Sequence, residues 1–112
     1  MGAGTSSGKS GGSVLTQTNT PQQIALAKSA VSGIKNAQYQ NVVVTRPRDG
    51  HRLEIDIQRI KNNSARGSKY SYRITIDDND NINEYGNPER LWYTYRDSLA
   101  DAKKDARRYL GV

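Results

Sequence analysis

The sequence predicts an α+β fold, an antiparallel meander of three or four strands with an N-terminal and a C-terminal helix packed on one face. Three observations lead there. Leu53, Ile55 and Ile57 alternate with polar residues, and so do Tyr70, Tyr72, Ile74 and Ile76, which is the period of half-buried strands. Apolar residues at helical spacing bracket these strands, with Ile24, Ala27, Val31 and Ile34 before them and Leu99, Ala102, Ala106, Tyr109 and Leu110 after. Short polar loops join consecutive strands, and strands so joined form a meander whose apolar face both helices can cover.

The elements follow in chain order. Thr20-Pro21-Gln22-Gln23 reads as a helix start, with a Thr cap, Pro at the first position and Gln three residues after the cap. This helix is expected over 21–36, weakened near its end by Gly33. Val42-Val43-Val44 is a β-branched run, expected as a strand over 41–45. Pro47 to Gly50 is a turn built on Asp49-Gly50, and Lys61 to Ser68 reads as a hairpin loop. Asp77 to Pro88 reads as a long Asx-rich turn, pinned to the body by Ile82 and Tyr85. In the last strand Leu91, Tyr93 and Tyr95 are expected inward and Trp92 outward. Ser98 with Asp101 three residues on forms a capping box for the helix Leu99–Leu110. The expected core joins Ile24, Val31, Leu53, Ile55, Ile74, Tyr93, Leu99, Ala106 and Leu110.

A chain of 112 residues makes one domain, expected over 20–112, behind a Gly/Ser/Thr-rich flexible tail over 1–19. With no cysteine, there is no disulfide scaffold and no thiolate chemistry. Without an apolar run of membrane-spanning length or a signal peptide's apolar block, a cytoplasmic location is expected and no membrane partner. A net charge of +6 favours an anionic partner. The charge is uneven: residues 46–73 hold eight bases against three acids, 77–89 hold five acids and no base, and 96–108 hold five bases against three acids.

Several motifs resolve into plainer readings. Ala3 to Ser10 matches a relaxed phosphate-loop pattern, but no strand precedes it and Gly11-Gly12-Ser13 follows instead of a helix. Met1-Gly2 with Ser6 fits a myristoylation pattern, and Asn62-Asn63-Ser64 a glycosylation acceptor, both short and driven by composition. Asp77 to Glu84 resembles a calcium loop, but an EF-hand register places Ile82 where Gly belongs and Pro88 where Glu belongs. His51, the single histidine, lacks an evident orienting partner or nucleophile. Glu54 and Asp56 face Arg73 across a strand pair, which reads as ion pairing before acid–base chemistry. No catalytic set, metal site or cofactor is expected.

Nucleic acid is the expected partner. The candidate contacts are Arg46, Arg48 and Arg52 around the first hairpin and Arg59, Lys61, Arg66 and Lys69 around the second. Trp92 would act as a stacking surface, and Lys103, Lys104, Arg107 and Arg108 would act from the last helix. The alternative partner is an acidic protein. The oligomeric state is left open.

Tyr95-Arg96-Asp97-Ser98-Leu99-Ala100-Asp101-Ala102-Lys103 resembles the endings of many small mobile-element proteins, in which a strand leads into a Ser-Leu-x-x-Ala-Lys helix. In outline the chain is similar to the arm-binding domains of phage-type integrases, three strands and then a helix. The Gly/Ser-rich start, Met1 to Gly12, looks like the starts of small prophage proteins. The likeness covers about a quarter of the chain. The N-terminal helix and the acidic stretch depart from it, no catalytic domain is expected to follow, and no functional residue carries over. It implies a phage-encoded binding or structural accessory protein.

Overall fold

A computed structural model describes residues 19–61 and 69–112. The tail over 1–18, with its phosphate-loop-like and myristoylation-like motifs, lies outside the described residues, as do Asn62 to Ser64 and Arg66. The elements are α1 (Pro21–Ser32), β1 (Tyr39–Thr45), β2 (Arg52–Lys61), β3 (Tyr70–Ile82), β4 (Pro88–Arg96) and α2 (Leu99–Leu110). The strands form one antiparallel sheet in the order β1-β2-β3-β4, the expected meander.

Both helices begin where their caps require. The Thr20 hydroxyl accepts from the Gln23 amide at 3.1 Å, and the Ser98 hydroxyl from the Asp101 amide at 3.1 Å. α1 stops at Ser32, earlier than the expected 36. The Gly33 amide bonds Ser29 and the Ile34 amide bonds Val31, a closing turn that lets Ile34 drop into the core at 3% exposure. α2 ends on Gly111 at φ 75°, where a side chain would strain the left-handed backbone.

One core joins the helices to one face of the sheet. Ala27, Val31 and Ile34 meet Val44, Leu53, Ile55, Ile57, Tyr72, Ile74 and Ile76, with Ala102, Ala106 and Leu110 closing the other side. Each of the largest of these, fully buried, stabilises the fold by about 1.5–3 kcal/mol. Of two further residues expected in the core, Leu99 is half-buried and packs against it, and Ile24 is half-buried outside it.

Three expectations about β3 and β4 are corrected. The stretch 77–88 is mostly strand: β3 runs on to Ile82 and β4 starts at Pro88, with a tight turn between them. The Asn83 side chain closes that turn by accepting from the Tyr85 and Asn87 amides, and Gly86 takes φ 83°. Ile82 and Tyr85 are exposed there and do not pin the turn to the body. The phase of β4 is reversed beyond Leu91. Ile76 pairs with Trp92 but Asp77 pairs with Arg90, so Leu91 is the extra residue of a bulge. A bulge shifts every later residue by one. Trp92 therefore turns inward with Leu91, and Tyr93 and Tyr95 face outward at 50% and 52% exposure.

Candidate nucleic-acid interface

The expected contact residues are built on four different parts of the fold. At the β1–β2 turn, Arg46 is buried. It donates from Nε and one terminal nitrogen to both carboxylate oxygens of Asp49, at 2.9 and 2.7 Å, and reaches Asp78 at 3.4 Å. It is consumed by the turn and presents no charge to a ligand. The Arg46 hydrogen bond holds the Asp49 carboxyl down at about 2. Arg52 is likewise occupied: its backbone amide and guanidinium clamp Asp80, with contacts of 2.7, 3.2 and 2.7 Å. Arg48 is exposed.

At the far end of β2, Arg59 bonds Asn36 Oδ1 at 3.1 Å and lies over the Tyr70 ring, 4.8 Å from its centre. Lys61 and Lys69 are exposed. The two hairpin groups do not converge. Arg52 and Lys61 stand at opposite ends of β2, about 30 Å apart at ~3.3 Å per residue.

Trp92 is not an outward stacking platform. Its indole N–H donates to Asp105 at 3.0 Å, and its ring meets Tyr109 at 5.5 Å between centres. Asp105, buried on α2, also accepts from Arg96 at 2.7 and 3.1 Å, and Arg108 lies 4.9 Å over the indole. Burial pushes the Asp105 carboxyl up, but the hydrogen bonds from Arg96 and Trp92 outweigh it and the net direction is down. This knot fastens α2 to β4.

The helical layer holds the remaining positive charge. On α2, Lys104 and Arg108 are exposed and Lys103 and Arg107 half-buried. Lys103 Nζ donates to the Ser32 carbonyl at 3.1 Å, tying α2 to the C-terminal end of α1. On α1, Lys28 lies one turn before Ser32 on the same stripe, and Lys35 lies just past the end of the helix; both are exposed. Residues 20–36 contain no acid at all. Of the two acids on α2, Asp105 is buried and paired, which leaves Asp101 as the exposed one. The layer thus gathers six cations, of which Arg108 also lies 3.9 Å from Asp105, against two exposed carboxylates, Asp101 on α2 and Asp97 just before it. A reading of residues 21–36 for their apolar face passes over Lys28 and Lys35. A charge count over the same window would have found them.

The uncovered sheet face differs. Glu54 accepts from Asn41 and Asn79, and the Tyr39 hydroxyl donates to Asp56. Arg73 donates to Gln58, its cross-strand partner, and not to either acid as expected.

His51 has an orienting partner after all. Its Nδ1 lies 2.7 Å from Asp78, a carboxylate 2% exposed that also accepts the Asp80 amide. The Asp78 hydrogen bond raises the His51 pKa against a smaller opposing effect of burial. The signal was present in the sequence, since Asp78 continues the inward phase of Tyr72, Ile74 and Ile76. His51 hydrogen-bonds no hydroxyl among the described residues, and no cluster of three metal-ligating side chains occurs among them. No described helix is long and apolar enough to cross a membrane.

Compared with known proteins, the chain matches no family model, no curated protein and no solved structure, so the likeness to mobile-element proteins rests on its residues alone.

Proposed function

We propose that this protein is a non-catalytic binding module that engages the phosphate backbone of nucleic acid through its helical layer. The observation that carries the reading is the separation of charge. Lys28, Lys103, Lys104, Arg107 and Arg108 lie on two tied helices and Lys35 lies just past the first, with Asp101 the one exposed acid on either helix. Elsewhere among the described residues, Arg46, Arg52, Arg90 and Arg96 each stand beside an acid. A polyanion gains from the first surface and not from the second, because nearby carboxylates cancel the attraction. Lysine and arginine contacts to phosphates fix position without reading sequence. The binding is therefore sequence-tolerant, and a phage-encoded accessory role is compatible with it.

The test compares two variants of the full chain by fluorescence anisotropy with a labelled duplex and a labelled single strand. Replacing all six helical cations by Gln should abolish micromolar binding. Replacing Arg48, Lys61 and Lys69 by Gln should change it less than threefold. Equal loss in both would return the interface to the hairpins. Retained binding in the six-fold variant would refute the reading. Absence of binding to either nucleic acid would leave an acidic protein as the partner of this layer.

A further inference from the structure

We infer that the edge strand β1 pairs with β1 of a second copy of this chain. The two sheets then join into one antiparallel sheet about a two-fold axis that passes through Val42, perpendicular to the sheet. The inference does not rest on the helical interface proposed above.

The two edges of the sheet are built differently. β1 is a regular strand of seven residues with no charge and no proline. β4, the opposite edge, begins at Pro88, carries Glu89, Arg90 and Arg96, and is broken by the bulge at Leu91. Proline, charge and bulges keep an edge strand from pairing further, whereas a regular uncharged edge is a template for another strand. The backbone shows which groups β1 offers. The Arg46 amide bonds the His51 carbonyl and the Arg59 amide bonds the Gln38 carbonyl, so the even-numbered residues along β1 direct their amides and carbonyls to β2. Those of Tyr39, Asn41, Val43 and Thr45 point to the open side. Among the described residues, only the Tyr39 carbonyl has a partner there, the Gln40 side chain at 3.3 Å.

The flank of α1 beside this edge identifies the occupant. α1 rests on β1 and α2, and Lys103 ties its Ser32 end to α2. At 3.6 residues per turn, Leu26 and Ala30 fall on the flank turned away from Ser32, and so away from α2. Leu26 is 63% exposed, and Ala30 is exposed with it. A lone peptide strand would pair with β1 and leave Leu26 in water. A second copy brings a strand and a helix together, because the same axis sets α1 antiparallel to its counterpart with the two Leu26 flanks facing. The register is fixed by full overlap. With Val42 opposite Val42 of the second copy, Tyr39 meets Thr45 and Asn41 meets Val43, each pair joining residues whose amides and carbonyls point outward. No charged side chain lies in this seam, and Lys35 and Arg48 lie beyond its two ends. Such a contact closes on itself, and the guarded edge of β4 stops further growth.

The seam is about 23 Å long at ~3.3 Å per residue, and with the helix flank it covers on the order of 500 Å² per copy. That is the small end of specific interfaces, matched to a dimer that forms and dissociates in the micromolar range. Both helical layers then lie on one side of the joined sheet.

Sedimentation equilibrium of the full chain between about 5 and 500 µM tests the inference. A monomer–dimer equilibrium is expected. Val43→Pro removes an amide that points to the open side and none of the β1–β2 bonds, and should weaken the dimer at least tenfold. Asn41→Lys combined with Val43→Lys sets like charges across the seam and should weaken it as much. Asn41→Lys combined with Val43→Glu sets opposite charges there and should stay within about threefold of the original. Should these variants fail to fold by circular dichroism, two other measurements decide. Leu26→Lys, an exposed position in the monomer, should weaken the dimer at least tenfold. Hydrogen exchange of the unaltered protein should slow at high concentration in the peptide covering 39–45 and not in the one covering 88–96. A monomer throughout the range overturns the inference. So does a dimer indifferent to these substitutions, or one that gains its protection at β4. Growth beyond the dimer also overturns it, in favour of open-ended pairing of β1 with β4.

Discussion

Replacing Asp105 by Ala should be among the most damaging single changes that leave the hydrophobic core intact. Asp105 is 6% exposed and accepts from Trp92 at 3.0 Å and from Arg96 at 2.7 and 3.1 Å. Its removal strands the Trp92 N–H in a half-buried site, a loss of about 1–3 kcal/mol. Breaking one side of a fully buried ion pair costs about 3–5 kcal/mol, but the Arg96 side chain is 36% exposed and regains water. The sum is about 2–4 kcal/mol. At ~6 °C per kcal/mol for a domain of this size, Tm should fall by roughly 12–24 °C. Asp105→Asn keeps an acceptor and should lose about half as much. Trp92 is the sole tryptophan, so its emission reports the same site. It should be blue-shifted in the native protein and move to the red in the folded Ala variant. A Tm loss under about 5 °C with unchanged emission would refute the knot and the inward turn of Trp92.

Ile55→Ala and Ile74→Ala should each cost about 2–5 kcal/mol by urea unfolding, since both side chains are buried between sheet and helices; near-neutral effects at both would contradict the register. His51 gains its partner Asp78 on folding and its pKa is raised, so its contribution is complete below about pH 6.5, the unfolded value, and is lost as pH rises through the folded value. Tm measured from pH 5 to 9 should show that loss, and His51→Gln should remove it; an identical profile in the variant would refute the pairing. Asp49 works in the other direction. Its carboxyl is held at about 2 by Arg46, so the turn should keep its stability above about pH 4 and lose it as pH falls toward 2, and Asp49→Asn should flatten the acid limb.

Much of this fold was legible because local signals agreed with it. The caps at Thr20 and Ser98 locate both helix starts, and alternation through Leu53–Ile57 and Tyr70–Ile76 fixes which face of β2 and β3 is buried. β4 was misread for a specific reason. Leu91 and Trp92 are adjacent and both apolar, so period two admits either phase, and a bulge settled the matter through pairing that no local residue encodes. The β3–β4 hairpin was hidden by composition, because Asp, Asn and Gly signal turns while Asp78 here continues a strand into a buried ion cluster. The candidate interface was half visible. A count of charge along the sequence finds the cations of α2 and the hairpin arginines alike, although Arg46 and Arg52 spend their charge on Asp49 and Asp80. Pairing of that kind depends on which carboxylates the fold brings near, and linear sequence does not display it.

If the helical layer engages phosphates, nucleic-acid affinity falls steeply with salt. Contact with four to six phosphates predicts a straight line of log K against log salt with a slope of about −4 to −5 on duplex DNA. Removing Lys104 and Arg108 together should shallow it by about two units. A slope near zero, or a steep one that the double substitution leaves unchanged, would rule out phosphate contact by this layer.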